Sequence, residues 1–193
     1  MKQHINRFMK VAITGHTQGF GNSLYKIFKS QGHDIVGFSR SNGFDISNNL
    51  IREQIINEIK NFDVFINNAY HPQGQIDMLN EILKCWDNTE KIVVNISSLI
   101  VYKDSPHFKG VLELYRDSKI KLNNIIKNYK GSVKILNVMP GLMDTNFYLI
   151  PDAFDRSNSI DTESLAELIH VVIKNSNNFF IKELIMENNG WNI

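Results

Sequence analysis

Thr14-Gly15-His16-Thr17-Gln18-Gly19-Phe20-Gly21 is the stretch whose reading decides the fold. Before it lies Met9 to Thr14 (MKVAIT), a short apolar run of strand type. After it, from Asn22 to Gln31, Leu24, Ile27 and Phe28 recur at helical spacing, and Gly32 fits a helix stop. The glycines therefore stand on a turn between a strand and a helix. Glycine lets the backbone turn tightly and come close to a ligand, and a pyrophosphate held there sits at the positive end of the helix beyond the turn. Any loop needing positive φ could use the same residues, so the weight comes from the rest of the chain.

Beyond the turn, strand and helix patterns alternate regularly. Ile35 to Ser39 reads as a second strand and Phe44 to Ile46 as a short third one. Ser47 is the expected N-cap of a helix running to Asn61, with Ile51, Ile55, Ile56 and Ile59 on its buried face. Val64 to Asn67 and Ile92 to Ser97 are the fourth and fifth strands, with a helical pattern from Ile76 to Trp86 between them. Leu112 to Tyr129 is the longest helical segment. Ser132 to Met139 is a sixth strand ending at Pro140-Gly141, and Thr162 to Lys174 and Ile181 to Glu187 are a last helix and a last strand. Short β-branched runs alternating with helices predict an α/β domain, a doubly wound parallel sheet of about seven strands in three α/β/α layers. Residues 1–193 show no repeat or linker, so the whole chain is expected to be one domain.

Composition narrows the classes of function. The 193 residues carry 21 Lys and Arg against 20 Asp and Glu, a net charge of +1, with no block of like charge. That argues against nucleic acid or an anionic membrane as partner. Hydrophobic residues at 42% and charged residues at 21% are those of a globular protein. The first ten residues lack a signal-peptide core, and no run of about 18 apolar residues occurs, so no membrane span is expected. A single cysteine, Cys85, cannot close a disulfide within the chain and favours a reducing, cytoplasmic compartment; its apolar helical surroundings suggest a buried, inert thiol. The six histidines, His4, His16, His33, His71, His107 and His170, show no metal-ligand spacing, so no metal is expected.

The pattern T-G-x-x-x-G-x-G resembles that of the short-chain dehydrogenase/reductases, Rossmann-fold oxidoreductases that use a nicotinamide cofactor. Four further segments match in order. Asn67-Asn68-Ala69-Tyr70 stands where the family writes N-N-A-G, and Asn95-Ile96-Ser97-Ser98 where it places a catalytic serine. Tyr115-Arg116-Asp117-Ser118-Lys119 matches Y-x-x-x-K, and Pro140-Gly141-Leu142-Met143-Asp144-Thr145 matches P-G-x-x-x-T. The resemblance spans the chain. It implies cofactor contacts from Thr14, Gly15, Thr17, Gln18, Gly19, Phe20 and Gly21, from Asn68, Ala69 and Tyr70, and from Tyr115 and Lys119. It further implies that Asp45 and Ile46 flank the adenine, and that Pro140, Gly141, Met143 and Thr145 hold the nicotinamide end.

At the end of the second strand an NAD site usually presents a carboxylate to the ribose. Here the chain reads Ser39-Arg40-Ser41. A guanidinium with neighbouring hydroxyls suits a 2′-phosphate, so NADP(H) is favoured over NAD(H), unless Arg40 only stacks on the adenine or points to solvent. Hydride transfer to a carbonyl needs an acid for the developing alkoxide and a donor that polarises the oxygen. A Tyr and a Lys at i and i+4 share a helical face, which lets the Lys119 cation favour the Tyr115 phenolate. By resemblance Tyr115 is the general acid/base, Ser98 polarises the carbonyl, and Ser97 is a structural hydroxyl.

The chain also departs from the family pattern. Tyr70 replaces a glycine and brings a bulky ring near the cofactor channel. The stretch from Asn68 to Ser98 is short, leaving Asn80 as the candidate for the family's proton-relay asparagine. The loop from Asn146 to Ser159, where the family keeps a substrate lid, is short as well. Ser98-Leu99-Ile100-Val101-Tyr102 is similar to the S-x-x-V-Y of the sugar-nucleotide branch. Three readings are open: a carbonyl reductase or alcohol dehydrogenase acting on a small molecule, an enzyme modifying a sugar or nucleotide sugar, and a cofactor-binding regulatory or scaffold protein without turnover. The intact Ser98, Tyr115 and Lys119 favour an enzyme. Helices from Ile76 and Leu112 correspond to the family's dimerisation pair. If Ile120, Ile125 and Ile126 pack on the sheet, Val111, Leu112 and Leu114 remain for a partner, so a homodimer is expected, with a homotetramer as the larger alternative.

Overall fold

A strand covered on both faces needs apolar side chains at successive positions. Val11, Ala12 and Ile13, then Val64, Phe65 and Ile66, then Ile92, Val93 and Val94 meet that need, and all are buried. The computed structural model describes residues 8–103, 109–145 and 157–188. Within them β1 (Lys10–Thr14), β2 (Asp34–Phe38), β3 (Val64–Asn67), β4 (Ile92–Ile96), β5 (Lys134–Pro140) and β6 (Glu183–Met186) form one sheet in the order β2-β1-β3-β4-β5-β6. Every neighbouring pair is parallel. Helices α1 (Gly19–Ser30) and α5 (Thr162–Lys174) pack together on one face over Val11, Ile13, Val94 and Val138. On the other face α2 (Asn49–Glu58), α3 (Gly74–Cys85) and α4 (Val111–Asn128) lie over Ala12, Phe65, Val93 and Ile135.

The chain leaves β1 for β2 on one side and then returns to place β3 on the other. The carboxyl ends of β1 and β3 thus flank the point where the winding reverses, and in such sheets that crevice is where ligands bind. One layer of the sheet near these ends is polar. Asn67, Asn95 and Asn137 are in register on neighbouring strands. Asn67 Nδ2 donates to Asn95 Oδ1 and Asn95 Nδ2 to Asn137 Oδ1, each at 3.0 Å, and Asn137 Nδ2 donates to Asn123 Oδ1 of α4 at 3.1 Å.

Several expectations from the sequence need correction. The sheet has six strands among the described residues, because Phe44–Ile46 is not a strand. The chain leaving β2 instead forms a 3-10 turn, Arg40–Asn42, closed by Ser39 N–H on Asn42 Oδ1 at 2.7 Å and by Asn42 Nδ2 on the Gly37 carbonyl at 3.0 Å. The cap of α2 is Asn48, whose Oδ1 accepts from Leu50 N–H at 2.9 Å, while Ser47 N–H donates to Asp45 Oδ1. Cys85 is exposed, since Ile82 and Trp86 take the inward positions of that turn. On α4 the fully buried face is Ser118, Lys119 and Leu122; Ile125 and Ile126 are half-buried against the core and Ile120 lies outside it. Val111 and Leu114 are exposed as expected, whereas Leu112 is half-buried. The described helices include none long and apolar enough to cross a membrane.

Candidate active site

The glycine turn is held by bonds to the ends of β2 and β3. Gly15 and Gly19 have φ of +74° and +54°, where a Cβ is strained. Gly15 N–H donates to the Phe38 carbonyl of β2 at 2.7 Å. From β3's end, Asn68 Nδ2 donates to the carbonyls of Thr14 and Gly15 at 3.0 and 3.2 Å. Thr14 Oγ1 accepts from the Asn68 and Ala69 N–H groups, both at 3.1 Å. A β-carbon on Gly21 would lie 2.1 Å from the Gly15 carbonyl oxygen and 2.5 Å from Asn68 Nδ2. The spaces at these glycines are therefore what bring the turn up against α1's first N–H groups, which the side chain of Gln18 leaves uncapped. Such a cradle fits a pyrophosphate. Thr17 and Gln18 are exposed beside it, whereas the Phe20 ring is in the core, leaving only its backbone to face a ligand.

At the end of β2, Ser39 Oγ bonds to Ser41 Oγ at 2.8 Å, and Arg40 points out of the turn, exposed. The Ser47 N–H and hydroxyl hold the Asp45 carboxyl below its usual range, with Arg40 adding to the effect. Ile46 is buried in the core beside Phe38. On the other side of the crevice, Gly141 N–H donates to the Met186 carbonyl and Thr145 N–H to the Met143 carbonyl, both at 2.8 Å. This turn brings Thr145 over the glycines: a β-carbon on Gly19 would lie 3.5 Å from Thr145 Cγ2.

Tyr115, Lys119 and Asn123 recur at four-residue intervals and share the face of α4 that looks onto the sheet. Ser98 caps the 3-10 turn Leu99–Tyr102 after β4, accepting from Ile100 N–H at 3.3 Å, and its hydroxyl is close enough to the Tyr115 phenol to favour the phenolate. Ser97 Oγ instead donates to Asn123 Oδ1 at 2.7 Å, away from the phenol. Lys119 Nζ lies 5.3 Å from the centre of the Tyr115 ring and 5.4 Å from that of Tyr70. The two rings meet edge to face at 4.9 Å, so Tyr70 is part of this cluster. Burial pushes the Tyr115 phenol above its ordinary value, against which the nearby Ser98 side chain works, and burial draws the Lys119 ammonium down to about 7.

Asn80 is not part of this group. It is exposed on α3 and lines a groove with Lys84, Asp87, Tyr129 and Lys130. The amide that reaches Lys119 is that of Gln75, in the first turn of the same helix, accepting from Nζ at 2.8 Å. Five residues at 100° each separate the two by about 140° around the helix, so only one of them can face α4. Two more residues of the site were not singled out from sequence. Asn123 carried a readable signal, its four-residue step from Lys119. Asn188 carried none: its Oδ1 accepts from Leu142 N–H at 2.6 Å, and its Nδ2 donates to the carbonyls of Leu142 and Asn158, both at 2.7 Å. Of the expected lid, residues 146–156 lie outside the described residues, as do His4 and His107.

Solved structures share this fold over nearly the whole chain. A 3-ketoacyl-(acyl-carrier-protein) reductase from Brucella melitensis, complexed with NADH, superposes with a TM-score of 0.75 at 16% identity, covering 98% of this chain and 100% of its own. A 3-alpha-hydroxysteroid dehydrogenase from Pseudomonas sp. B-0831, also with NADH, gives 0.71 at 16%, covering 92% and 94%. A short chain dehydrogenase from Burkholderia cenocepacia J2315 in complex with NADP gives 0.69 at 14%, covering 94% and 89%. This is the short-chain dehydrogenase/reductase fold. No protein-family model and no curated protein matches the chain. In this fold the glycine turn follows β1, Ser98 follows β4 and Thr145 follows β5, so all three lie beyond the carboxyl ends of the strands, with Tyr115 and Lys119 of α4 near Ser98.

Proposed function

We propose that the chain is an NADP(H)-dependent oxidoreductase that interconverts a carbonyl compound and an alcohol. The observation that carries this reading is Lys119 Nζ 5.3 Å from the centre of the Tyr115 ring, with the Ser98 hydroxyl beside the phenol and favouring its ionised form. The bound cofactor supplies or accepts the hydride. Tyr115 gives its proton to the alkoxide oxygen as it forms, and Ser98 donates to that oxygen and orients it. Lys119, while protonated, favours the phenolate left behind and so lowers the cost of the transfer. The glycine cradle and the N-terminus of α1 hold the pyrophosphate, and Gly141, Met143 and Thr145 hold the nicotinamide end.

The preference for NADP(H) rests on Arg40, exposed at the end of β2 where a carboxylate would otherwise read the ribose. Residues 1–193 act as one nucleotide-binding domain in this reading, working in the cytoplasm as a homodimer. The test is oxidation of NADPH against a panel of carbonyl compounds that includes sugar nucleotides, run with Tyr115→Phe as control. Turnover of at least one compound that Tyr115→Phe abolishes, with NADPH bound within a few-fold of wild type, is the expected result. Substantial residual kcat in Tyr115→Phe removes the phenol from the chemistry.

A further inference from the structure

Lys119 is a cation only 2% exposed whose two hydrogen-bond acceptors are both uncharged. Nζ donates to Gln75 Oε1 and to the Ile96 carbonyl, each at 2.8 Å. Gln75 Nε2 donates to that same carbonyl and to the Asn67 carbonyl, each at 3.0 Å. The Gln75 backbone carbonyl in turn accepts from Asn67 Nδ2 at 3.1 Å, and the residue is 1% exposed. These contacts also fix which way the amide points. Turned over, it would face the ammonium with its own N–H groups and set its oxygen against two carbonyls. The orientation with Oε1 on Lys119 is the one that satisfies every atom.

We propose that Gln75 is a positioning residue acting through Lys119, holding the ammonium beside Tyr115 with an acceptor that carries no charge. The proposal rests on the reading of Tyr115 and Lys119 as the acid–base pair. A carboxylate at the same place would hold the ammonium at least as firmly, but the pair would be neutral as a whole and its field at the phenol largely cancelled. An apolar residue would leave a buried N–H without a partner and favour the uncharged amine, because burial already works against the cation. An amide avoids both outcomes. Tyr115 from α4 and Tyr70 from the segment after β3 are the titratable groups in ring contact with Lys119; β4 faces it with the Ile96 carbonyl and α3 with Gln75.

Two variants test this, Gln75→Met, which keeps the bulk without the acceptor, and Gln75→Glu, which keeps the acceptor and adds charge. The first readout needs no cofactor or turnover. The Lys119 side chain is followed by NMR of isotopically labelled lysine through a pH titration, with its signal assigned from Lys119→Arg. In Gln75→Met the Lys119 midpoint is expected to fall by about half a unit or more. The second readout is the pH profile of kcat for alcohol oxidation. In Gln75→Glu the basic group's midpoint is expected to rise by about one unit, tenfold in the proton equilibrium, because the added pair is neutral however its proton is shared. An unchanged lysine titration in Gln75→Met together with an unchanged profile in Gln75→Glu overturns the proposal and leaves Gln75 a packing residue between β3 and β4. Turnover that survives in Tyr115→Phe overturns the acid–base reading instead, and the lysine titration still decides whether Gln75 holds the ammonium. If Gln75→Met does not fold, Gln75→Glu, of the same shape as the native residue, decides through the profile alone.

Discussion

Acidification should loosen the packing of α1 on α5 through one buried pair, well away from the crevice. His33, just after α1, and His170, on α5, meet Nε2 to Nε2 at 3.0 Å, both buried, with the Phe28 ring edge-on to His170 at 5.3 Å. At that separation one nitrogen donates and the other accepts, which two neutral rings can do and two protonated rings cannot. Burial, the facing His33 and the nearby Lys174 together lower the His170 pKa to about 4 from its ordinary 6.5, and burial and Lys174 lower that of His33 as well. The folded value lies below the unfolded one, so the unfolded chain takes up the proton first as pH falls. Stability from this group is complete above pH 6.5, is lost between there and about 4, and changes no further below that. A shift of this size corresponds to about 3 kcal/mol for His170 alone. For a domain of this length that is roughly 6–12 °C in Tm. The assay is the thermal melt by circular dichroism from neutral pH down to pH 4.5, for the wild type and for His170→Gln, whose amide keeps a partner for His33 without titrating. The wild-type curve should drop more steeply than that of the variant over this range. Parallel curves would mean that the pair carries no pH-dependent stability, and the reasoning fails.

Arg40→Ala should weaken NADPH by about 1.5–3 kcal/mol and leave NADH nearly unchanged, as titration of both cofactors would read; equal weakening would mean that the guanidinium does not contact the 2′-phosphate. Gly21→Ala puts a methyl group 2.1 Å from the Gly15 carbonyl oxygen, so denaturant unfolding should show a loss of about 1–3 kcal/mol and cofactor titration a larger relative loss. Light scattering at micromolar concentration should give twice the chain's 22.3 kDa, since Val111 and Leu114 are exposed on α4; a mass near 22.3 kDa itself would rule out the homodimer.

The strands buried on both faces were legible because burial of that kind leaves continuous apolar runs, as in Val64 to Ile66. Phe44 and Ile46 flank Asp45 and are apolar for a different reason. Phe44 packs edge to face on Phe38 and Ile46 enters the core, while the backbone between β2 and α2 is bent by bonds from Ser39, Asn42 and Asp45. Residue type alone could not weigh those local bonds against a ladder. The Tyr115–Lys119 step was legible because a fixed helical period places both on one face. Asn80 lies five residues along α3 from Gln75, on the exposed side of the helix, and residue type alone does not say which of the two amides faces Lys119. Asn188 depends on a contact 46 residues away, with Leu142, which no local pattern encodes.

The row of amides from Asn67 through Asn95 and Asn137 to Asn123 also acts as a key for strand pairing. Sliding β4 by one residue against β3 would turn every side chain of β4 to the opposite face. Asn95 would then sit among the apolar residues that α1 and α5 cover, and Asn67 and Asn137 would each lose a buried partner. Each amide stranded in this way costs about 1–3 kcal/mol, so one slip forfeits several kcal/mol where an all-apolar sheet would lose much less. Asn123 stands one helical turn beyond Lys119 and closes the row, so the same key that aligns the strands also sets the rotation of α4 about its axis. A collapsed chain with shifted strands could bury as much apolar surface, yet it could not bring Tyr115 and Lys119 round to Ser98. Sheet alignment and site assembly thus depend on the same amides, and any variant that breaks the row should weaken both together.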